Sequence, residues 1–284
     1  MRALRIIAAA SVVLGLTAGP AAAAGPYQPD GAIRPAGSAR EQGDGVYNAD
    51  GSEQTIVTRI GPRGVGDFFV TIENDGTQAD TFRVSGSNHT SRFTVRYVLE
   101  GREVSAGVKA GTLQVGPLEP GEERVLRVRI GARTSVRPGA AHTARVVARS
   151  TTGDTVDVTR AKVVRPLYSR DQERVLAQIN QTRASHGLGR LAMNRALAEK
   201  AQSWARHLVS IGRLAHSDVT DGAPPGWEAL GENVGYARDL AEMHRGFLGS
   251  SGHRANILGR FNYVGTGVAY GHQRVWVVHV FMRR

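Results

Sequence analysis

The hydrophobic period of this chain changes once, near Arg165-Pro166, and one layered fold cannot serve both sides of the change. Before that point apolar residues alternate with polar ones, the period of a half-buried strand. After it they recur at three- and four-residue spacings, the period of a helix with one buried face. At 284 residues, with 41% hydrophobic content, the chain is long enough for two domains with a core each.

The first pattern is clearest in three stripes. Phe68, Val70 and Ile72 form one. Phe93, Val95, Tyr97 and Leu99 alternate with Thr94 and Arg96, and Leu126, Val128 and Ile130 with Arg127 and Arg129. Asn74-Asp75-Gly76, Pro120-Gly121, Pro138-Gly139 and Gly153-Asp154 punctuate the runs as turns. This predicts seven or eight short antiparallel strands over residues 46–164, folded as an all-β, immunoglobulin-like two-sheet sandwich. The phrases "NDGTQADTF" and "LEPGEE" resemble those of secreted β-sandwich modules. No motif with chemistry stands out here, and the arginine-bearing strand faces read as wet sheet surface.

Ahead of the sandwich, Arg2 and Arg5 precede an apolar run from Ile6 to Leu16, followed by small residues. The run is too short to span a bilayer comfortably, so residues 1–24 read as a secretory signal peptide cleaved near Ala24. Residues 25–45, rich in Gly, Ala and Pro, are expected to form a flexible leader. No later segment reads as a transmembrane span. Without cysteine, a disulfide framework, a thiolate metal site and a lipoprotein anchor are all excluded. The formal net charge of +11 comes from scattered arginines without interleaved aromatics, which argues against nucleic acid. Attraction to anionic cell-envelope polymers suits a secreted chain better.

Residues 165–284 read differently. Pro166 marks the junction. Ser169 and Gln172 form a capping-box signature ahead of a helix carrying Val175, Leu176 and Ile179 on one face, with Gly187 closing it. Leu197, Ala201, Trp204, Ala205 and Leu208 mark a second helix, and Leu240, Met243 and Phe247 a third. "YVGTGVAYG" and "RVWVVHVFM" read as strands joined by a turn at Gly271-His272. Both faces of Val275 to Met282 are apolar, so that strand should be covered on both sides. Helices packed around a small antiparallel sheet give an α+β, three-layer α-β-α sandwich.

The ordered phrases "INQTR" (from Ile179), "LAHS" (ending at Ser217), "GENV" (from Gly231), "SSGHRANIL" (His253) and "YVGTGVAY" (from Tyr263) resemble the CAP superfamily of cysteine-rich secretory, antigen 5 and pathogenesis-related proteins. The similarity is to its cysteine-free bacterial, SCP-like branch, over about Ser169 to Met282. It implies a cleft with two histidines, able to hold a divalent metal, and up to two glutamates. By motif, His216 and His253 take the histidine places and Glu232 the first glutamate place. The second glutamate place, in "FLGS", is held by Ser250, so one carboxylate of the family pattern is missing. Imidazoles suit zinc and similar ions. Two of them fall one protein ligand short of an ordinary catalytic zinc site, so a bound ion would be held weakly. Glu232 would then bond the metal's water or orient a histidine.

No H-E-x-x-H and no G-x-S-x-G occurs, and the adjacent His216, Ser217 and Asp218 cannot converge on one atom as a triad. The resemblance implies a secreted protein whose cleft meets an extracellular ligand: a lipid, sterol, peptide or envelope component. It implies no single reaction. Two other readings stand beside it. One is a metal-assisted extracellular hydrolase of peptide or envelope polymer with Glu232 as general base. The other is a structural or adhesion module with a relic cleft.

Overall fold

A computed structural model of the chain describes residues 25–134 and 136–284. The expected signal peptide, 1–24, lies outside the described residues. The chain separates into two compact units, the second beginning at Pro166.

The first unit contains β1 (Pro29–Pro35), β2 (Thr55–Arg59), β3 (Val65–Asn74), β4 (Asp80–Gly86), β5 (Phe93–Leu99), β6 (Arg102–Glu103), a short helix α1 (Ser105–Ala110), β7 (Leu113–Leu118), β8 (Glu123–Ala132), β9 (Ala141–Ser150) and β10 (Val156–Val164). They form two five-stranded sheets, ordered β1-β3-β8-β5-β6 and β2-β10-β9-β4-β7. The three stripes named above supply one wall of the core: Phe68, Val70, Ile72, Phe93, Val95, Tyr97, Leu126, Val128 and Ile130 are all buried. Phe82, Val84, Ala144, Val146, Ala161 and Val163 from the second sheet meet them in the same cluster.

Two expectations need correction here. The segment 25–45 is not a flexible leader, because it contains β1, which pairs antiparallel with β3 from Pro29–Asn74 to Pro35–Phe68. Ile33 lies in the core, and the Gly31 amide donates to Asp157 Oδ2 at 2.7 Å. The strands are also more numerous than expected and not all antiparallel: β2 runs parallel to β10.

The second unit contains α2 (Arg170–Ser185), β11 (Ala192–Met193), α3 (Arg195–Ile211), β12 (Ala229–Ala237), α4 (Leu240–Gly249), α5 (Ser251–Leu258), β13 (Tyr263–Gly271) and β14 (Arg274–Arg283). Ser169 and Gln172 form the capping box of α2 as the sequence indicates. The sheet order is β11-β13-β14-β12, antiparallel except for the short β11–β13 pair. Alternate residues of β14 serve two cores. Trp276, Val278, Val280 and Met282 pack with Leu197, Ala201, Ala205 and Leu208 of α3. Val275, Val277 and Phe281 pack with Val175 and Ile179 of α2, Met243 and Phe247 of α4, and Ile257 of α5. The result is a helix layer on each face of one sheet.

Polar side chains of "INQTR" lock the layers. Asn180 exchanges two hydrogen bonds with the Leu191 backbone. The buried Arg183 donates to the carbonyls of Gly189, Ile257 and Gly259 at 2.7–2.9 Å, joining α2 to the end of α5. Thr266 on β13 accepts from the Gln172 side chain through its carbonyl and donates to the Gln172 carbonyl through its hydroxyl. The β13–β14 turn is carried by His272 and Gln273, both with positive φ (53° and 57°), rather than by Gly271. Gly271 is needed for a different reason, since a Cβ there would lie 2.3 Å from Val209 Cγ1.

Candidate functional site

His216 lies in the stretch 212–228, which has neither helix nor strand, between α3 and β12. Trp204 of α3 donates its Nε1–H to the Ala215 carbonyl at 2.9 Å and so pins the chain just before His216. Glu232 lies on β12, paired with Val280 of β14, and its side chain is only 2% exposed. A buried carboxylate needs donors, and three are supplied from the loop. The Ser217 amide donates to Oε1 at 2.9 Å, His216 Nδ1 meets the same oxygen at 2.7 Å, and the Ser217 hydroxyl donates to Oε2. The imidazole itself is 63% exposed. With Nδ1 bonded to the carboxylate, Nε2 is the nitrogen left for a ligand.

His253 sits in the first turn of α5, half-buried, with its ring edge-on to Phe247 at 5.0 Å between centroids. Neither of its ring nitrogens has a hydrogen-bond partner among the described residues. Burial pushes its pKa below the ordinary histidine value, and the neighbouring charge of His216 adds to the effect, so the two rings sense each other. Its backbone is fixed by amides. Asn233 Nδ2 donates to the His253 carbonyl at 3.0 Å, and Asn256 Nδ2 donates both to the Glu232 carbonyl at 3.1 Å and to Asn233 Oδ1 at 2.9 Å.

Ser250 joins α4 to α5 as the cap residue of both, and its hydroxyl makes no hydrogen bond among the described residues. No hydrogen bond among the described residues joins its side chain to His216, Glu232 or His253. Ser217 and Asn256 hold the carboxylate and its strand, yet the sequence reading passes over both. Ser217 was legible only as the letter after His216, and Asn256 only as part of "SSGHRANIL". A buried glutamate at the fourth position of β12 was the signal that such donors had to exist.

His216, Glu232 and His253 do not form a compact three-donor set. Among the described residues one set of three carboxylate or imidazole donors lies within 4.8 Å of one another, and it belongs to the first unit. The donor chemistry here fits an ion held by two imidazoles, with Glu232 orienting one of them and not serving as a ligand, since its oxygens are already engaged.

Residues 176–281 match the family model of the cysteine-rich secretory protein family, CAP. The second unit is a CAP domain. Solved structures similar to the chain include an extracellular protein containing an SCP domain from Bacillus anthracis (16% identity, 89% of this chain and 88% of that one, TM-score 0.36). A cysteine-rich secretory protein from Staphylococcus aureus is similar at 13% identity, over 75% of this chain and 83% of that one, with TM-score 0.36. An outer surface protein from Borrelia burgdorferi matches at 16% identity, over 41% of this chain and 94% of that one, also with TM-score 0.36. No curated protein matches the chain. No helix of the described residues is long and apolar enough to cross a membrane.

A groove elsewhere on the CAP domain runs between α2 and α4, lined by Asp171, Gln178, Gln181, Arg238, Leu240 and Tyr270 among others. None of the four expected site residues lines it.

Proposed function

We propose that the chain is a secreted protein whose CAP domain presents His216 and His253 to an extracellular ligand, with a divalent cation such as zinc held between the two imidazoles. The observation that carries this reading is the Glu232–His216 bond. A buried carboxylate on Nδ1 fixes the tautomer that offers Nε2 outward, the arrangement found behind metal-bound histidines. Burial lowers the pKa of His253 and so favours its neutral form, the state a metal ligand requires. A cation there would act as a Lewis acid towards a ligand's carbonyl, carboxylate or phosphate oxygen.

The same geometry favours binding over hydrolysis. A general base must reach the water it deprotonates. Glu232 is buried, and its oxygens are engaged by His216 and Ser217. The first unit, read as an immunoglobulin-like module, serves as a spacer or surface-docking module, and the net charge of +11 over the whole chain favours attraction to anionic envelope polymer.

Calorimetry with zinc on the full chain tests the reading. His216→Ala and His253→Ala should each abolish binding, because one imidazole holds zinc weakly. Wild-type affinity in either variant would overturn it.

A further inference from the structure

We infer that Asp30, Glu73 and Asp75 form a calcium site at the edge of the first unit's sandwich, where β1 begins and β3 ends. Each contributes a carboxylate oxygen, and these oxygens lie within 4.8 Å of one another. Oxygens bound to one calcium ion at its usual 2.3–2.6 Å can be up to about 4.8 Å apart. Magnesium, at about 2.1 Å and with a stricter octahedral shell, would require them closer.

Three acids close together on a surface would mean little. Two further observations point to a cation here. The first is the state of Asp30, which is 1% exposed. The sandwich has two other buried aspartates, and both are satisfied. Asp157 accepts from the Gly31 and Asn48 amides and the Gln54 side chain, and Asp80 from the Thr81 amide and the Ser150 and Thr152 hydroxyls. Asp30 accepts only the Gly45 amide, on Oδ2, and its buried Oδ1 has no donor. An oxygen buried without a donor loses its hydration with nothing in exchange, and a metal ion removes that cost.

The second observation is register. Asp30 stands directly opposite Glu73 across the β1–β3 ladder, so the two side chains share one face. Like charges placed opposite each other destabilise a strand pair. Neither residue, nor Asp75, is ion-paired with an arginine or lysine among the described residues. The strongest charges acting on Asp30 and Glu73 are all negative. Asp75, Asp157 and Asp44 are those on Asp30. Asp75, Glu123, Asp44 and Glu41 are those on Glu73. Tyr47 donates its hydroxyl to Asp75 Oδ2 at 2.6 Å and fixes that carboxylate in place. A calcium ion would neutralise the cluster and fasten β1 to β3. An oxygen-only donor set favours a hard cation such as calcium over the imidazole-type ion proposed for the CAP domain.

Calorimetric titration of the chelator-treated full chain with calcium chloride tests this. One site is expected, with a dissociation constant of about 0.1–1 mM, the range of extracellular modules. Magnesium should bind more weakly. Asp30→Asn keeps the acceptor for Gly45 and removes the charge, so it should weaken calcium binding by roughly tenfold or more. In chelator that variant should melt no lower than wild type, because it relieves like-charge repulsion. At about 10 mM calcium wild type should gain melting temperature and the variant should not. Glu73→Gln serves the same purpose if Asp30→Asn does not fold. His253→Ala should leave the calcium titration unchanged, which separates this site from the CAP cleft. Absence of calcium binding by wild type, or equal affinity in the folded acidic variant, would overturn the proposal.

Discussion

Gly267 of β13 lies against the Ala201 carbonyl of α3 so closely that a Cβ on the glycine would fall 2.1 Å from that oxygen. Two residues earlier, a Cβ on Gly265 would meet the Leu197 backbone at 2.0 Å. Both contacts are with main chain, which cannot swing aside as a side chain can. Gly267→Ala should therefore separate α3 from the sheet and cost about 3 kcal/mol or more, beyond ordinary overpacking. All three tryptophans, Trp204, Trp227 and Trp276, lie in the CAP domain, so urea unfolding followed by tryptophan fluorescence reads that unit. A wild-type midpoint would show that the helix and sheet can move apart freely.

Removing the Arg183 guanidinium should uncouple α2 from α5. Three carbonyls would lose their donor, and a buried acceptor left unpaired costs about 1–3 kcal/mol. Arg183→Met should lower stability by about 3 kcal/mol or more on the same fluorescence assay. Arg183→Lys, a single ammonium in place of a planar fork, should recover only part of the loss.

Glu232→Gln changes shape little but replaces one accepting oxygen with an amide nitrogen. That nitrogen would face donors from His216 or Ser217. Stability should drop by about 1–3 kcal/mol, and zinc affinity by about tenfold to a hundredfold. If the variant unfolds at the wild-type urea midpoint, the carboxylate is not what holds the loop.

His279, between Phe247 and Phe281, is 1% exposed, and burial, with a smaller effect of His244 and His253, lowers its pKa from 6.5 to about 3. The native state thus requires the neutral ring, while the unfolded chain takes up a proton below its ordinary value. The stability tied to His279 is complete above about pH 6.5 and is lost as pH falls from there towards 3, by up to about 1.4 kcal/mol per pH unit. His244 shifts in the same direction, through burial. Urea midpoints at several pH values should show this slope between pH 6 and 4, flattened in His279→Leu. An equal slope in that variant would mean the ring is protonated in the folded state.

Much of the CAP domain was legible because its signals are local. The apolar faces of β14, the capping box at Ser169 and the spacing in α3 each depend on residues within a few positions. β1 was not legible, since "PDGAIRP" has prolines at both ends and one large apolar residue, Ile33. Its burial depends on β3 and on Asp157, which is 126 residues beyond Gly31. The donors on Glu232 were hidden for the same reason: Ser217 reaches it only after α3 and β12 have packed on the sheet. All four site residues were placed by motif order; the structure bonds His216 to Glu232, whereas the Ser250 side chain has no hydrogen bond to the others among the described residues.

The two histidines are mounted with unequal stiffness. His253 is tied through Asn233 and Asn256 to β12, an edge strand paired along its whole length with β14, so it shares the sheet's rigidity. The segment around His216 has no ladder of its own, and it is held by side-chain bonds with Trp204, Lys200 and Glu232 and by packing of Ala215 against the α3 core. In the proposed cleft His253 would be the fixed jaw and His216 the compliant one, so adjustment to a guest's size would fall on the His216 side. Because Trp204 grips that jaw at Ala215, its indole is a built-in strain gauge: any guest that displaces the loop must stretch or break that bond and alter the emission of Trp204.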